Sequence, residues 1–122
     1  MEQIDILLAT YNGEKYLKEQ IDSILNQTYT NFRLIISDDC SKDKTREILK
    51  KYNDKRIITY FQENNLGYVK NFEFLLSKVE NQVYMLSDQD DYWLPTKVEH
   101  TYNKLKETEA DLVFRHLEVV NA

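Results

Sequence analysis

Cysteine and proline each occur once in these 122 residues, and glycine only twice. A single cysteine, Cys40, excludes an internal disulfide and a cysteine-rich zinc site. No run approaches the roughly 18 apolar residues of a membrane span, and the N-terminus shows no basic-then-apolar leader. The expected compartment is the cytosol, with a peripheral position at the inner face of the membrane left open. Ser/His/Asp, Cys/His and Walker-type arrangements are also missing. Basic residues number 16 against 21 acidic, for a net charge of -5. That balance argues against non-specific nucleic-acid binding, which needs clustered Lys and Arg. It does not bar an anionic nucleotide, because a metal and local dipoles can reverse the field. With 42% hydrophobic and 30% charged residues, the chain suits one globular domain over 1–122 rather than two.

What is present is a regular alternation. Ile4 to Ala9 reads as a strand, and Glu14 to Leu25 carries Tyr16, Leu17, Ile21, Ile24 and Leu25 at helical spacing. Phe32–Ile36, Ile57–Phe61 and Val83–Leu86 read as further strands. Asp43–Tyr52, Val69–Val79 and Pro95–Leu105 read as helices, with Ser41 or Asp43 able to cap the first and Pro95 suited to a first turn. Asp111 to Val120 begins another extended segment. Strands alternating with helices predict an α/β fold, a mostly parallel sheet flanked by helices.

Three expected strands end in polar clusters: Thr10-Tyr11-Asn12-Gly13, Ser37-Asp38-Asp39, and Ser87-Asp88-Gln89-Asp90-Asp91. In a parallel sheet these converge on one rim, where open α/β sheets bind ligands. Thr10 or Asn12 can cap the following helix, while Tyr11 can stack on a base and Gly13 leaves room for phosphate. A carboxylate at Asp38-Asp39 can accept the imide N–H of uracil or thymine, although the same loop also suits helix capping. The third cluster places three carboxylates within four positions. Such crowding is costly without a cation or a donor ligand. Oxygen ligands without His or Cys suit Mg²⁺ or Mn²⁺, which commonly bridge carboxylates and phosphates. Calcium is the weaker choice because EF-hand spacing is missing, and a solvated acidic loop is the plain alternative. Trp93 reads as a core or rim anchor, Cys40 as a small buried or semi-buried residue and His100 as structural. Gly67 in Asn64–Asn71 suggests special backbone geometry, and Lys70 beside it can reach a phosphate, although a solvated helix lysine is the more frequent outcome.

Ile-Leu-Leu-Ala-Thr-Tyr-Asn-Gly at 6–13, Ile-Ser-Asp-Asp-Cys-Ser at 36–41, Asn-Leu-Gly at 65–67 and Ser-Asp-Gln-Asp-Asp-Tyr-Trp-Leu-Pro-Thr-Lys at 87–97 together resemble the family 2 glycosyltransferases of the Rossmann-like GT-A fold. The acidic run is similar to the rhamnosyltransferase-type branch. The resemblance implies that Thr10, Tyr11 and Asn12 line a nucleotide pocket. It implies that Asp39 binds a pyrimidine with Asp38 beside it, and that Asp88 and Asp90 form the Asp-x-Asp pair. Asp90 is the first choice for metal contact, Asp88 lies nearer the ribose or the metal waters, and Asp91 is secondary. The implied activity is inverting transfer from a dTDP- or UDP-sugar, dTDP-rhamnose among them, to a glycan or lipid-linked acceptor of a bacterial polysaccharide.

The family's enzymes continue well past this length, and their later half normally supplies the acceptor surface and catalytic base. The chain is therefore expected to be the donor-binding part of a longer enzyme, with its base beyond Ala122. Arg115 and His116 stand where small or acidic residues are expected. Two rivals remain: a nucleotide-sugar-binding module without turnover, and a receiver-like signalling domain. The latter fits less well, since its acids follow other strands and it needs a late lysine.

Overall fold

The computed structural model describes residues 1–88 and 91–108. Its elements run β1 (Ile4–Thr10), α1 (Leu17–Leu25), β2 (Phe32–Asp38), α2 (Thr45–Lys50), β3 (Ile57–Phe61), α3 (Tyr68–Leu76), β4 (Val83–Ser87) and α4 (Lys97–Thr108). The expected extended segment at 111–120, with Arg115 and His116, lies outside the described residues.

The four strands form one sheet in the order β3-β2-β1-β4, and every pairing is parallel. Period-2 alternation divides the core between two faces. Ile4, Ile6 and Leu8 of β1 join Leu34, Ile36, Val83 and Met85 on one face, covered by Leu17, Ile21 and Ile24 of α1, Leu49 of α2 and Val98 and Leu105 of α4. Leu7 and Ile35 face the other way and pack against Leu75 of α3. The chain lays β2 and β3 to one side of β1, then returns to place β4 on the other. Reversing direction moves the crossover helix to the opposite face, which is where α3 lies. The reversal leaves a switch point between β1 and β4, the usual ligand crevice of such sheets.

Element ends differ locally from expectation. β1 and β2 continue through Thr10 and Asp38, so two residues read as loop are the last strand positions, paired Thr10 with Asp38. α1 begins at Leu17 rather than Glu14, with Tyr16 at its cap and no side-chain cap bond. The Gly13 carbonyl instead accepts from the Tyr16 and Leu17 N–H groups, so neither Thr10 nor Asn12 caps this helix. α2 is shorter than Asp43–Tyr52; Asp43 Oδ1 does accept the Thr45 N–H at 2.9 Å, whereas Ser41 is engaged elsewhere. Pro95 precedes α4 by two residues, and its carbonyl accepts from the Thr28 N–H.

Candidate functional site

The loop after β1 and the loop after β2 are knitted together by short polar side chains. Asp38 is fully buried and accepts from Thr10 Oγ1 at 2.8 Å, Ser41 Oγ at 2.6 Å, the Ser41 N–H at 3.0 Å and Arg46 Nε at 2.8 Å. Four donors occupy both oxygens, so this carboxylate holds the rim together from beneath. Asn12 bridges the same loops: its N–H donates to Ser41 Oγ at 2.9 Å and its Oδ1 accepts the Lys42 N–H at 2.8 Å. Asn12 has φ 49° and Cys40 φ 61°. Asn enters the left-handed region readily, whereas Cys does so at a cost.

Asp39 begins the loop after β2 and reaches toward α3. Its oxygens accept the Leu66 N–H at 2.6 Å and the Gly67 N–H at 3.0 Å, fixing the entry to that helix. Gly67 sits at φ 86°, a conformation that favours glycine, and a Cβ there would meet nothing within 4 Å. Asn71 pins α3 to β2 by donating from Nδ2 to the Ser37 carbonyl at 3.0 Å.

These elements enclose a cleft of about 410 Å³ at the switch point between β1 and β4. Thr10, Tyr11 and Asp39 line one side, Ser87 and Asp88 the other, and Tyr68 of α3 stands over it. Its floor is apolar, formed by Leu7, Leu75 and Leu86. Tyr11 is 45% and Tyr68 67% exposed, so both reach solvent at the rim. Tyr68 Oη lies 3.5 Å from Asp88 Oδ1, at the outer limit of a hydrogen bond. Burial, and then the Asp88 charge, push the Tyr68 hydroxyl above its ordinary range.

The acidic loop turns back on itself. The Asp91 N–H donates to the Asp88 carbonyl at 3.1 Å, and the Asp88 N–H donates to Asp91 Oδ2 at 3.1 Å. Trp93 is buried, as expected of an anchor, and Lys97 Nζ lies 5.0 Å from its ring centre. Burial lowers the Lys97 ammonium, while the charges of Asp91 and Asp88 act in the opposite direction. Asp90, the first-choice metal ligand, lies outside the described residues, as does Gln89.

The cleft thus gathers Thr10, Tyr11, Asp39 and Asp88 from three separated segments. Asp38 lies below it, and neither Asn12 nor Lys70 is on its walls. Lys70 and His100 are exposed on their helices. Residue-level reading missed Tyr68, Asn71 and Lys97. Asn71 carried a signal, a polar residue on the apolar face of a helix; Tyr68, directly after Gly67, did not differ from ordinary surface tyrosines.

A sequence profile described as Glycosyl transferase family 2 matches residues 5–121. A putative teichuronic acid biosynthesis glycosyltransferase, TuaG of Bacillus subtilis, is 32% identical over 98 residues, which cover 79% of this chain and 39% of that protein. The Escherichia coli protein WfaP, described as a UDP-Glc:alpha-D-GlcNAc-diphosphoundecaprenol beta-1,3-glucosyltransferase, is 33% identical over 114 residues, covering 93% of this chain and 44% of WfaP. Among solved structures, S. aureus TarS 1–349 in complex with UDP-GlcNAc superposes with a TM-score of 0.79 at 28% identity, covering 86% of this chain and 31% of TarS. The chain therefore spans less than half the length of each of these relatives.

Proposed function

The chain belongs to glycosyl transferase family 2, and from that premise we propose that its cleft binds a pyrimidine nucleoside-diphosphate sugar with a divalent cation and presents the sugar for transfer to a hydroxyl. The observation that carries this reading is the convergence of Tyr11, Asp39 and Asp88 on one cleft at the sheet's switch point. A base would stack against Tyr11, with its imide N–H directed to Asp39. That carboxylate already accepts two backbone N–H groups and retains lone-pair capacity for a third donor.

The donor set suits a hard cation. Asp88 faces the cleft, and among the described residues no group of three or more His, Cys, Asp or Glu could hold a metal. One or two carboxylates completed by phosphate oxygens and water is the usual Mg²⁺ or Mn²⁺ arrangement. Asp88 and Asp90 would hold the ion. Bound there, it supplies neutralisation of charge on the departing diphosphate. In the transfer itself, an acceptor hydroxyl forms a bond to the anomeric carbon as the bond to the diphosphate breaks. The hydroxyl proton passes to a base, a role assigned to none of the described side chains. A glycan or lipid-linked acceptor and an inverted anomeric centre follow from the family resemblance.

UDP-linked donors rank first, because TarS, at 28% identity, has been solved with UDP and with UDP-GlcNAc. The second reading, dTDP-rhamnose, rests on the Ser-Asp-Gln-Asp-Asp-Tyr-Trp form of the acidic run. Isothermal titration of the chain with UDP, dTDP and GDP, in Mn²⁺ and in EDTA, tests the proposal. Binding of UDP or dTDP that weakens in EDTA, with GDP weaker throughout, is expected. Equal affinity for all three nucleotides, or no binding at all, would refute it.

A further inference from the structure

Helix α1 packs its apolar stripe into the core, but the neighbouring stripe of the same helix and its C-terminal extension is polar and buried. Gln20 is 1% exposed, Ser23 7% and Gln27 3%. Buried polar side chains cost stability unless their hydrogen bonds are made, and apolar residues at these positions would have served packing alone. All three side chains bond residues on either side of the acidic loop, in addition to the bonds that Ser23 Oγ donates to the Gln20 carbonyl and Gln27 Nε2 to the Ser23 carbonyl within their own segment. Gln20 Nε2 donates to Ser87 Oγ at 3.0 Å and to the Asp88 carbonyl. Ser23 Oγ accepts the Trp93 N–H at 3.1 Å. Gln27 Nε2 donates to the Leu94 carbonyl at 2.7 Å, and its Oε1 accepts the Val98 N–H at 3.0 Å.

We infer that Gln20, Ser23 and Gln27 are positioning residues that fix the acidic loop for a metal-bound diphosphate. The inference rests on the function proposed for Asp88 and goes beyond it by assigning the placing of the loop's ends to a helix none of whose residues lines the cleft. Gln20 clamps the loop where it leaves β4; Ser23 and Gln27 clamp it where it re-enters the core at Trp93. The two ends of the loop, at Asp88 and at Trp93 and Leu94, are thereby tied to the helix before ligand arrives, so binding does not have to order them. None of the hydrogen bonds just described reaches Tyr11 or Asp39, on the base-binding side of the cleft.

That division provides the test. Gln20→Met and Ser23→Ala are compared with the unmodified chain for affinity toward uridine alone and toward UDP with Mn²⁺. Trp93, the chain's one tryptophan, reports the loop through its fluorescence. Expected are a roughly tenfold loss for UDP–Mn²⁺ in Gln20→Met, the worth of about one buried hydrogen bond, unchanged uridine affinity, and red-shifted Trp93 emission in Ser23→Ala. Should Gln20→Met unfold, Ser23→Ala, which deletes a single oxygen, carries the same selective loss at about threefold. Equal losses for both ligands, or no loss for UDP–Mn²⁺, would overturn the inference. An unmodified chain that fails to bind UDP–Mn²⁺ would instead refute the proposed function.

Discussion

Thr10 Oγ1 donates a 2.8 Å hydrogen bond to Asp38 Oδ1, joining the last residues of β1 and β2 directly beneath the cleft. The bond belongs to a buried knot in which Ser41 and Arg46 complete the coordination of the same carboxylate. Its effect is to hold the two loops that line the cleft, one carrying Tyr11 and the other Asp39, at a fixed separation.

Asp38→Asn removes the charge opposite Arg46 and turns part of the acceptor into a donor. Breaking a buried, hydrogen-bonded pair of this kind is expected to cost roughly 2–4 kcal/mol. Urea unfolding measures the loss; a change below 0.5 kcal/mol would show that the knot is dispensable.

Asp39→Ala leaves the Leu66 N–H without its acceptor and the Gly67 N–H with Asn65 Oδ1 alone, and it takes away the proposed base contact. Uridine affinity is expected to fall at least tenfold, an effect visible without any metal. Unchanged uridine affinity would remove Asp39 from the site.

The two left-handed positions differ in sign. Cys40→Gly relieves a φ of 61° and is expected to stabilise the fold by about 0.5–1 kcal/mol. Gly67→Ala, at φ 86° and ψ 160°, is expected to cost about 1–3 kcal/mol through backbone strain alone, since nothing crowds the added methyl. Thermal unfolding of both variants checks the pair, and shifts of the same sign would contradict it.

The pH dependence follows from Asp5. Burial pushes its carboxyl up, but hydrogen bonds from Arg33 and from the Glu80 and Asn81 N–H groups outweigh burial and hold it below the ordinary carboxylate range. A carboxyl depressed in the folded state contributes stability that is fully present above its unfolded value of about 3.9 and is lost as pH falls through the lower folded value. Glu2, Asp22, Asp43 and Asp54 are shifted in the same direction. Urea midpoints are therefore expected to drop as pH falls below about 4, less steeply in Asp5→Asn. Parallel acid limbs would show that Asp5 contributes nothing.

The sheet was legible in the chain because its strands are short apolar-rich runs, three of them ended by a polar cluster, and the parallel order follows from the alternation. The strand ends were less legible: Thr10 and Asp38 read as loop because polarity marks the end of burial, whereas the ladder pairs them regardless. Tyr11, Asp39 and Asp88 could be named because each follows a strand directly. The inferred roles of Gln20, Ser23 and Gln27 could not be read, since their partners across the fold, Ser87 Oγ apart, are backbone groups up to 71 positions away. Lys70 was drawn in by nearness to Gly67 along the chain, yet it is exposed on α3 and away from the cleft walls.

A crystal soaked with UDP and Mn²⁺ tests the central claim most directly. The pyrimidine should lie against Tyr11 with its imide N–H on Asp39, and the diphosphate should reach the ion beside Asp88. Nucleotide density elsewhere on the molecule, or none at saturating UDP, would contradict the account.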